Sequence, residues 1–493
     1  MLLLCFFAPY PLTKPRQKAI FEIRGFMPNS EAARSQSRPQ PSQHFFSNAD
    51  LFRLVWPLVV EQLLAISLGF ADVLMVASLG EPAVSGVALV DSLSYLIIAI
   101  FSALATGGAV VCSHYIGSGN RPMISLAAKQ LIYAITAVSL FLSLAGYVFQ
   151  NAILRVFGNI EPVVRANSSI YLFYMLLSYP LIALYNATAA LFRAQGNSRV
   201  SMLTALLVNL LNIGGNALCI YGLKMGVEGV AIPTFVSRGV AAILLLYLLY
   251  HAKTYHGKPA IDIHGIFHFH FDVWTIKHIL AIGIPNSIEN SMFQVGKILV
   301  MSITAMFGTR AIAANAAASA LCGFSTIPGN ALCLSLTPIV GQCLGAERPD
   351  EAVYFTKKLL VLTYAAMAVI NIPLLLCTKP LMSLFNLSPE TNALASQLFM
   401  FHGICAVLIW PLSWALPYAL RAANDARFTM AVSLLSVWVV RIGFCFVFAR
   451  FTDWGVMGVW IAMIFDWILR AAVFSTRFAR GKWKAHYRIE KSE

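Results

Sequence analysis

The sequence predicts an all-α membrane protein with twelve transmembrane helices in two parallel six-helix repeats. Its 493 residues are 59% hydrophobic and 11% charged, with a mean hydropathy of +0.73, against roughly 25% charged residues in ordinary soluble domains. Twelve apolar segments reach spanning length, about 20 residues. A constant offset of 228 positions relates the first six to the last six.

The first span, near 51–79, contains "WPLVVEQLLAISLGFADVLMVASLG", which sets Glu61 and Asp72 in an otherwise almost wholly apolar run. An acid at membrane depth costs at least roughly 2.5–3.5 kcal/mol. The two are three helical turns apart with about 20° of drift, so both face one side of the helix, toward protein or water and away from lipid. The second span, 84–115, holds Asp91 at about the depth of Asp72. Two carboxylates sharing a dry site cannot both ionise easily. Spans 126–149 and 167–192 are apolar between their ends, whereas 200–222 and 229–251 bring Asn212, Asn216, Thr234 and Arg238.

In the second half, 276–307 carries Pro285, Glu289, Phe293 and Lys297, the last placed to snorkel toward the outer interface. Spans 312–343, 356–377 and 394–420 contain no acid, 428–450 holds Arg441, and 455–476 holds Asp466 and Arg470. Arg441 and Asp466 approach one depth from opposite directions and are expected to pair. Glu61 and Glu289 each follow a proline by one turn, and both read as helix-bend acids that bind backbone groups freed by that proline.

With both termini in the cytoplasm, inner segments carry 25 of the 35 Lys and Arg and outer loops 6, which sets that orientation in the inner membrane by the positive-inside rule. The net charge of +14 is then basic tails and loops lying against anionic lipid, and it needs no nucleic-acid partner. The offset of 228 carries Pro57 to Pro285, Glu61 to Glu289, Gly80 to Gly308, Gly117 to Gly345, Arg193 to Arg421 and Arg199 to Arg427 without a gap. Two copies of six helices share one orientation, an arrangement that places the substrate site between the halves. The expected organisation is a disordered tail over 1–48, with Met27 as an alternative start, lobes over 49–252 and 275–480, a cytoplasmic linker over 253–274 and a basic tail over 481–493. The histidines of the linker are irregularly spaced and read as a solvated basic loop, not a metal site. The nine cysteines are scattered singly and read as small buried hydrophobes.

"GFADVLMVASLG", "ALFRAQGNSR", "YALRAANDAR" and "NLLNIGGNALCIYGLKMGVEGVAIPT" resemble segments of the multidrug and toxic compound extrusion (MATE) transporters, in order and spacing. The resemblance covers about residues 50 to 480. It implies a V-shaped, two-lobed exporter coupled to a cation and alternating between inward and outward openings. The cation-coupling set it implies is Asp72, Asn212, Asn216 and Thr234, to which the depth of Asp91 adds a fifth group. One member of that set is an amide, Asn216, where DinF-type relatives have a second acid, so the site has one less negative charge. The acids of NorM-type second lobes are absent: Phe293 stands at one position and 394–420 supplies none. Glu289, Asp466, Arg441 and Lys297 are the second-lobe candidates.

These features predict an antiporter, coupled to H⁺ or Na⁺ and without other cofactor, that exports organic cationic or aromatic compounds as a monomer. Enzyme motifs such as HExxH, GxSxG and GxxxxGK[ST] are missing from the sequence, and no filter-like loop suggests a channel. The alternative is a flippase for lipids or lipid-linked sugars, for which more cavity cations than Arg238, Lys297, Arg441 and Arg470 are expected.

Overall fold

The computed structural model describes residues 44–157, 161–252, 254–255, 258–259 and 261–486. Nearly all of the expected N-terminal tail, including Met27, and most of the basic C-terminal tail lie outside the described residues. The first lobe comprises α1 (Asn48–Ala77), α2 (Glu81–Ser118), α3 (Arg121–Val148), α4 (Pro162–Ala194), α5 (Ser198–Ala217) and α6 (Glu228–His251). The second comprises α7 (Val273–Ala305), α8a (Thr309–Ser325), α8b (Ile327–Gly345), α9 (Pro349–Leu376), α10a (Pro389–Leu408), α10b (Leu416–Ala422), α11a (Ala426–Leu435), α11b (Gly443–Phe451) and α12 (Val456–Ala479). In the linker two antiparallel two-residue strands, Thr254–Tyr255 and Lys258–Pro259, are the one departure from helix in an otherwise all-α chain among the described residues.

Capping and proline chemistry explain several of these boundaries. Ser47 opens α1 with a reciprocal capping box to Asp50. Pro57 inside α1 cannot donate to the carbonyl of Arg53; Ser198 at the start of α5 supplies its hydroxyl instead, 3.3 Å from that oxygen and 2.6 Å from the carbonyl of Leu54. Three spans expected to be continuous are interrupted. The eighth breaks at Thr326, where Pro328 has no N–H for the preceding turn. The tenth passes through a π-turn over Pro411–Ala415, and the eleventh through one over Ser436–Ile442 that contains Arg441. Such turns re-aim side chains and recur at functional sites.

The lobes meet at the end of the bundle where α1 begins, the end that carries most of the loop Lys and Arg. There α2 crosses α8b around the pseudo-two-fold axis. A Cβ on Gly117 would lie 2.1 Å from the carbonyl oxygen of Gln342, and one on Gly345 would lie 1.9 Å from that of His114. These are reciprocal contacts, because 345 is 117 plus 228 and 342 is 114 plus 228. The same relation governs two hydrogen bonds: His114 Nε2 donates to the carbonyl of Ala422 (2.6 Å) and Gln342 Nε2 to that of Ala194 (2.7 Å). Beside this crossing α2 also packs on α7, where Asn286 and Ser287 reach the carbonyls of Ala103 and Ile100 at 3.4 and 3.3 Å. The basic end is therefore sealed by backbone-to-backbone packing that tolerates no side chain.

Candidate functional site

The first-lobe site is a chain of amides leading to one acid. Thr234 on α6 accepts from Asn212 Nδ2 at 2.9 Å, and Asn212 Oδ1 accepts from Asn216 Nδ2 at 3.0 Å. The same Asn216 nitrogen donates to Asp72 Oδ1 at 2.8 Å. Asn212 and Asn216 are one turn apart on α5 and almost completely buried, so their side chains stack along one face and fix each other's rotamers. Asp91 on α2 accepts from the Tyr171 hydroxyl at 3.2 Å and lies within electrostatic reach of Asp72. Arg238 on α6 is near both acids but bonds neither; it donates to Ser178 at 2.7 Å. The structure thus hydrogen-bonds Asp72, Asn216, Asn212 and Thr234 into one chain, with Asp91 near enough for its charge to act on Asp72. The unpartnered atom of this set is an oxygen, Asn216 Oδ1, buried and with no donor against it.

The second lobe is built differently. Glu289 on α7 takes Arg421 at 3.2 Å, Arg470 at 3.7 Å and the Ser433 hydroxyl at 2.7 Å. Asp466 on α12 lies 3.7 Å from Arg470 and accepts from Ser436 in the π-turn. Arg441 and Lys297 share the ring of Phe293, at 5.8 and 5.4 Å from its centroid, an attractive placement for cations on an aromatic face. Phe293 in turn packs edge-on against Trp414 at 5.0 Å.

Two expectations need correction. Arg441 and Asp466 do not form an ion pair: Ser436 donates to Asp466 Oδ1 and Arg470 lies 3.7 Å from that oxygen, Asp466 Oδ2 is buried without a hydrogen-bond partner, and Arg441 feels the charge only at longer range. Nor does Glu61 act as a helix-bend acid. It accepts from Arg193 at 3.1 Å, while Ser198 serves the carbonyl freed by Pro57. A carboxylate has no proton to offer a carbonyl in any case. The counterpart of Glu61–Arg193 is Glu289–Arg421, each residue displaced by 228. Arg193 and Arg421 were absent from the expected site although both stood in the repeat. The signal that finds them is two opposite charges keeping one offset.

A cavity of about 1110 Å³ at the basic end is bounded by the N-terminal segment, the α2–α3 turn and the linker, and contains none of these intramembrane charges. It is a vestibule below the seal, separate from the acid cluster.

Comparison with known proteins agrees with this architecture. The chain is 26% identical over 461 residues to "Uncharacterized transporter YisQ" of Bacillus subtilis (strain 168), covering 91% of this chain and 97% of that protein. It is 24% identical over 441 residues to "Probable multidrug resistance protein NorM" of Thermotoga maritima, covering 88% and 93%. A solved structure described as the outward-facing conformation of a multidrug resistance MATE family transporter superposes with a TM-score of 0.82 at 18% identity, over 89% of this chain and 96% of the other. The MatE family model matches twice, at residues 57–218 and 285–447, and the two matches begin one repeat offset apart. With its twelve helices, doubled sequence and two-lobed structure, the chain belongs to the MatE family, the multidrug and toxic compound extrusion transporters.

Proposed function

We propose that the chain is a proton-coupled antiporter that exports organic compounds across the inner membrane, with both termini in the cytoplasm and Asp72 as the exchanging group. The observation that carries this reading is the Asp72–Asn216–Asn212–Thr234 chain with Asp91 alongside. Two carboxylates near one another in a membrane interior are most simply accommodated by a proton. The partner that Asp72 meets on α5 is a neutral amide, Asn216, so the second carboxylate of the site is Asp91 and not a residue of the hydrogen-bonded chain. With the basic end on the cytoplasmic side, as proposed, the seal there corresponds to an outward-facing state, the one in which Asp72 takes its proton from outside and the substrate leaves. Returning inward requires the α2–α8b crossing to separate.

The test is substrate efflux from proteoliposomes under separately imposed gradients. Efflux is expected to follow the pH gradient with or without Na⁺. Transport that follows a Na⁺ gradient at fixed pH, with no response to a pH gradient, would assign Na⁺ as the coupling ion.

A further inference from the structure

The two lobes carry opposite charge at related positions. Arg238 on α6 corresponds, 228 residues on, to Asp466 on α12. In the first lobe a base stands near two acids, Asp72 and Asp91. In the second the acid stands near two bases, Arg470 and Arg441. Across the second-lobe interior four cations, Arg421, Arg441, Arg470 and Lys297, face two carboxylates, Glu289 and Asp466. Glu289 and Asp466 hold Arg421 and Arg470 within 3.7 Å. Arg441 and Lys297 make no ion pair within 4.0 Å among the described residues.

Two unsatisfied donors beside Phe293 point the same way, while the one unsatisfied carboxylate oxygen of this group, Asp466 Oδ2, does not reach Arg441 within 4.0 Å. Arg441 Nε and Trp414 Nε1 are buried donors without an acceptor, and both belong to side chains packed around Phe293. Leaving a buried donor unmade costs about 1–3 kcal/mol, more for a charged group. An incoming acceptor recovers it.

By helical phase Lys297 lies on the face of α7 that meets the first lobe. It lies 18 residues, five full turns, after Ile279, and three turns after Asn286. The backbone carbonyl of Ile279 lies where a Cβ on Gly107 of the first lobe would be 2.7 Å from it, and Asn286 reaches the carbonyl of Ala103. The face of α7 that seals the lobes near the basic end therefore presents Lys297 higher up, where they part. Lys297 is exposed while its ring partner Phe293 is partly buried.

We propose that Lys297 and Arg441, with Phe293 and Trp414 as an aromatic wall, bind the anionic group of an aromatic organic anion or zwitterion in the cleft. This deepens the exporter reading and rests on it: the first lobe takes the coupling cation and the second takes a negatively charged part of the cargo. A carboxylate or sulfonate is matched by the fork of Arg441 and the point charge of Lys297, and its ring by the wall.

Binding can be read without any gradient, so its outcome is independent of the coupling ion. The purified full-length chain is titrated with 2-naphthoate and with 2-naphthylmethylammonium, which share a ring system and differ in charge, while tryptophan fluorescence is followed. Naphthoate is expected to bind more tightly than the ammonium compound. Lys297→Gln and Arg441→Gln are each expected to weaken naphthoate on the order of tenfold, the loss of one charge-assisted hydrogen bond, and to leave the ammonium compound unchanged or tighter. Lys297 projects from an open face, so Lys297→Gln remains decisive if Arg441→Gln fails to fold. Equal naphthoate affinity in wild type and Lys297→Gln would overturn the proposal. So would displacement of naphthoate by short-chain phosphatidate at lower concentration, which would assign the site to a lipid headgroup.

Discussion

Asp72 was legible in the sequence because burial of an acid in a membrane span is costly enough to demand a reason. Asn216 was legible only through family likeness, since an amide in a helix carries no such penalty. The Glu–Arg pairs were written in the offset of 228 but went unread, because the proline one turn before each glutamate offered a simpler local explanation. Their geometry makes a stability prediction. Removing one partner of a buried ion pair costs about 3–5 kcal/mol, because the other charge is left uncompensated. Glu289→Ala and Arg421→Ala are each expected to lower the melting temperature more than the double substitution does. The effect should be larger than for Glu61 and Arg193, whose side chains are 11% and 16% exposed against 9% and 6% for Glu289 and Arg421. Simple addition of the single losses in thermal melts would show that the pair contributes no coupling.

At the scale of helices, span positions followed from hydropathy, while their interruptions did not. Pro328 could have been read as a break, but the π-turns at Pro411–Ala415 and Ser436–Ile442 leave no periodic trace in an apolar run. The turn at Ser436–Ile442 is what separates the expected partners: it puts Ser436 against Asp466 and carries Arg441 to Phe293. The crossing of α2 and α8b makes a second prediction. A methyl on residue 345 must displace backbone, since its nearest neighbour is the His114 carbonyl at 1.9 Å. Gly345→Ala should therefore open the seal and populate states with the lobes apart at the basic end. Spin labels at Ser118 and Glu347 should report a longer-distance population in the variant, and identical distance distributions in both proteins would refute the role of this crossing.

At the scale of the molecule, the repeat was legible as rare residues at one spacing, and the structure extends it to reciprocal contacts that no single residue announces. His114 and Gln342 are different residue types at equivalent positions, yet each donates to the carbonyl at the end of the opposite lobe's helix. Sequence identity hides that equivalence, because what is kept is the donor and not the residue. The lobes then diverge in charge: the first sets Asp72 and Asp91 beside Arg238, and the second sets Arg421, Arg441, Arg470 and Lys297 against Glu289 and Asp466. A symmetric scaffold with inverted polarity can hold a cation on one side and cargo on the other, and rocking about a single axis would expose both together.

That coupling stands or falls on Asp72. The most direct measurement is gradient-driven substrate efflux from proteoliposomes containing wild type or Asp72→Asn, with gel filtration and thermal melting showing that both are folded. The amide keeps the size of the side chain but cannot exchange a proton. Asp72→Asn is predicted to abolish efflux driven by a pH gradient while leaving equilibrium binding of substrate within a few-fold of wild type; efflux at the wild-type rate would contradict it.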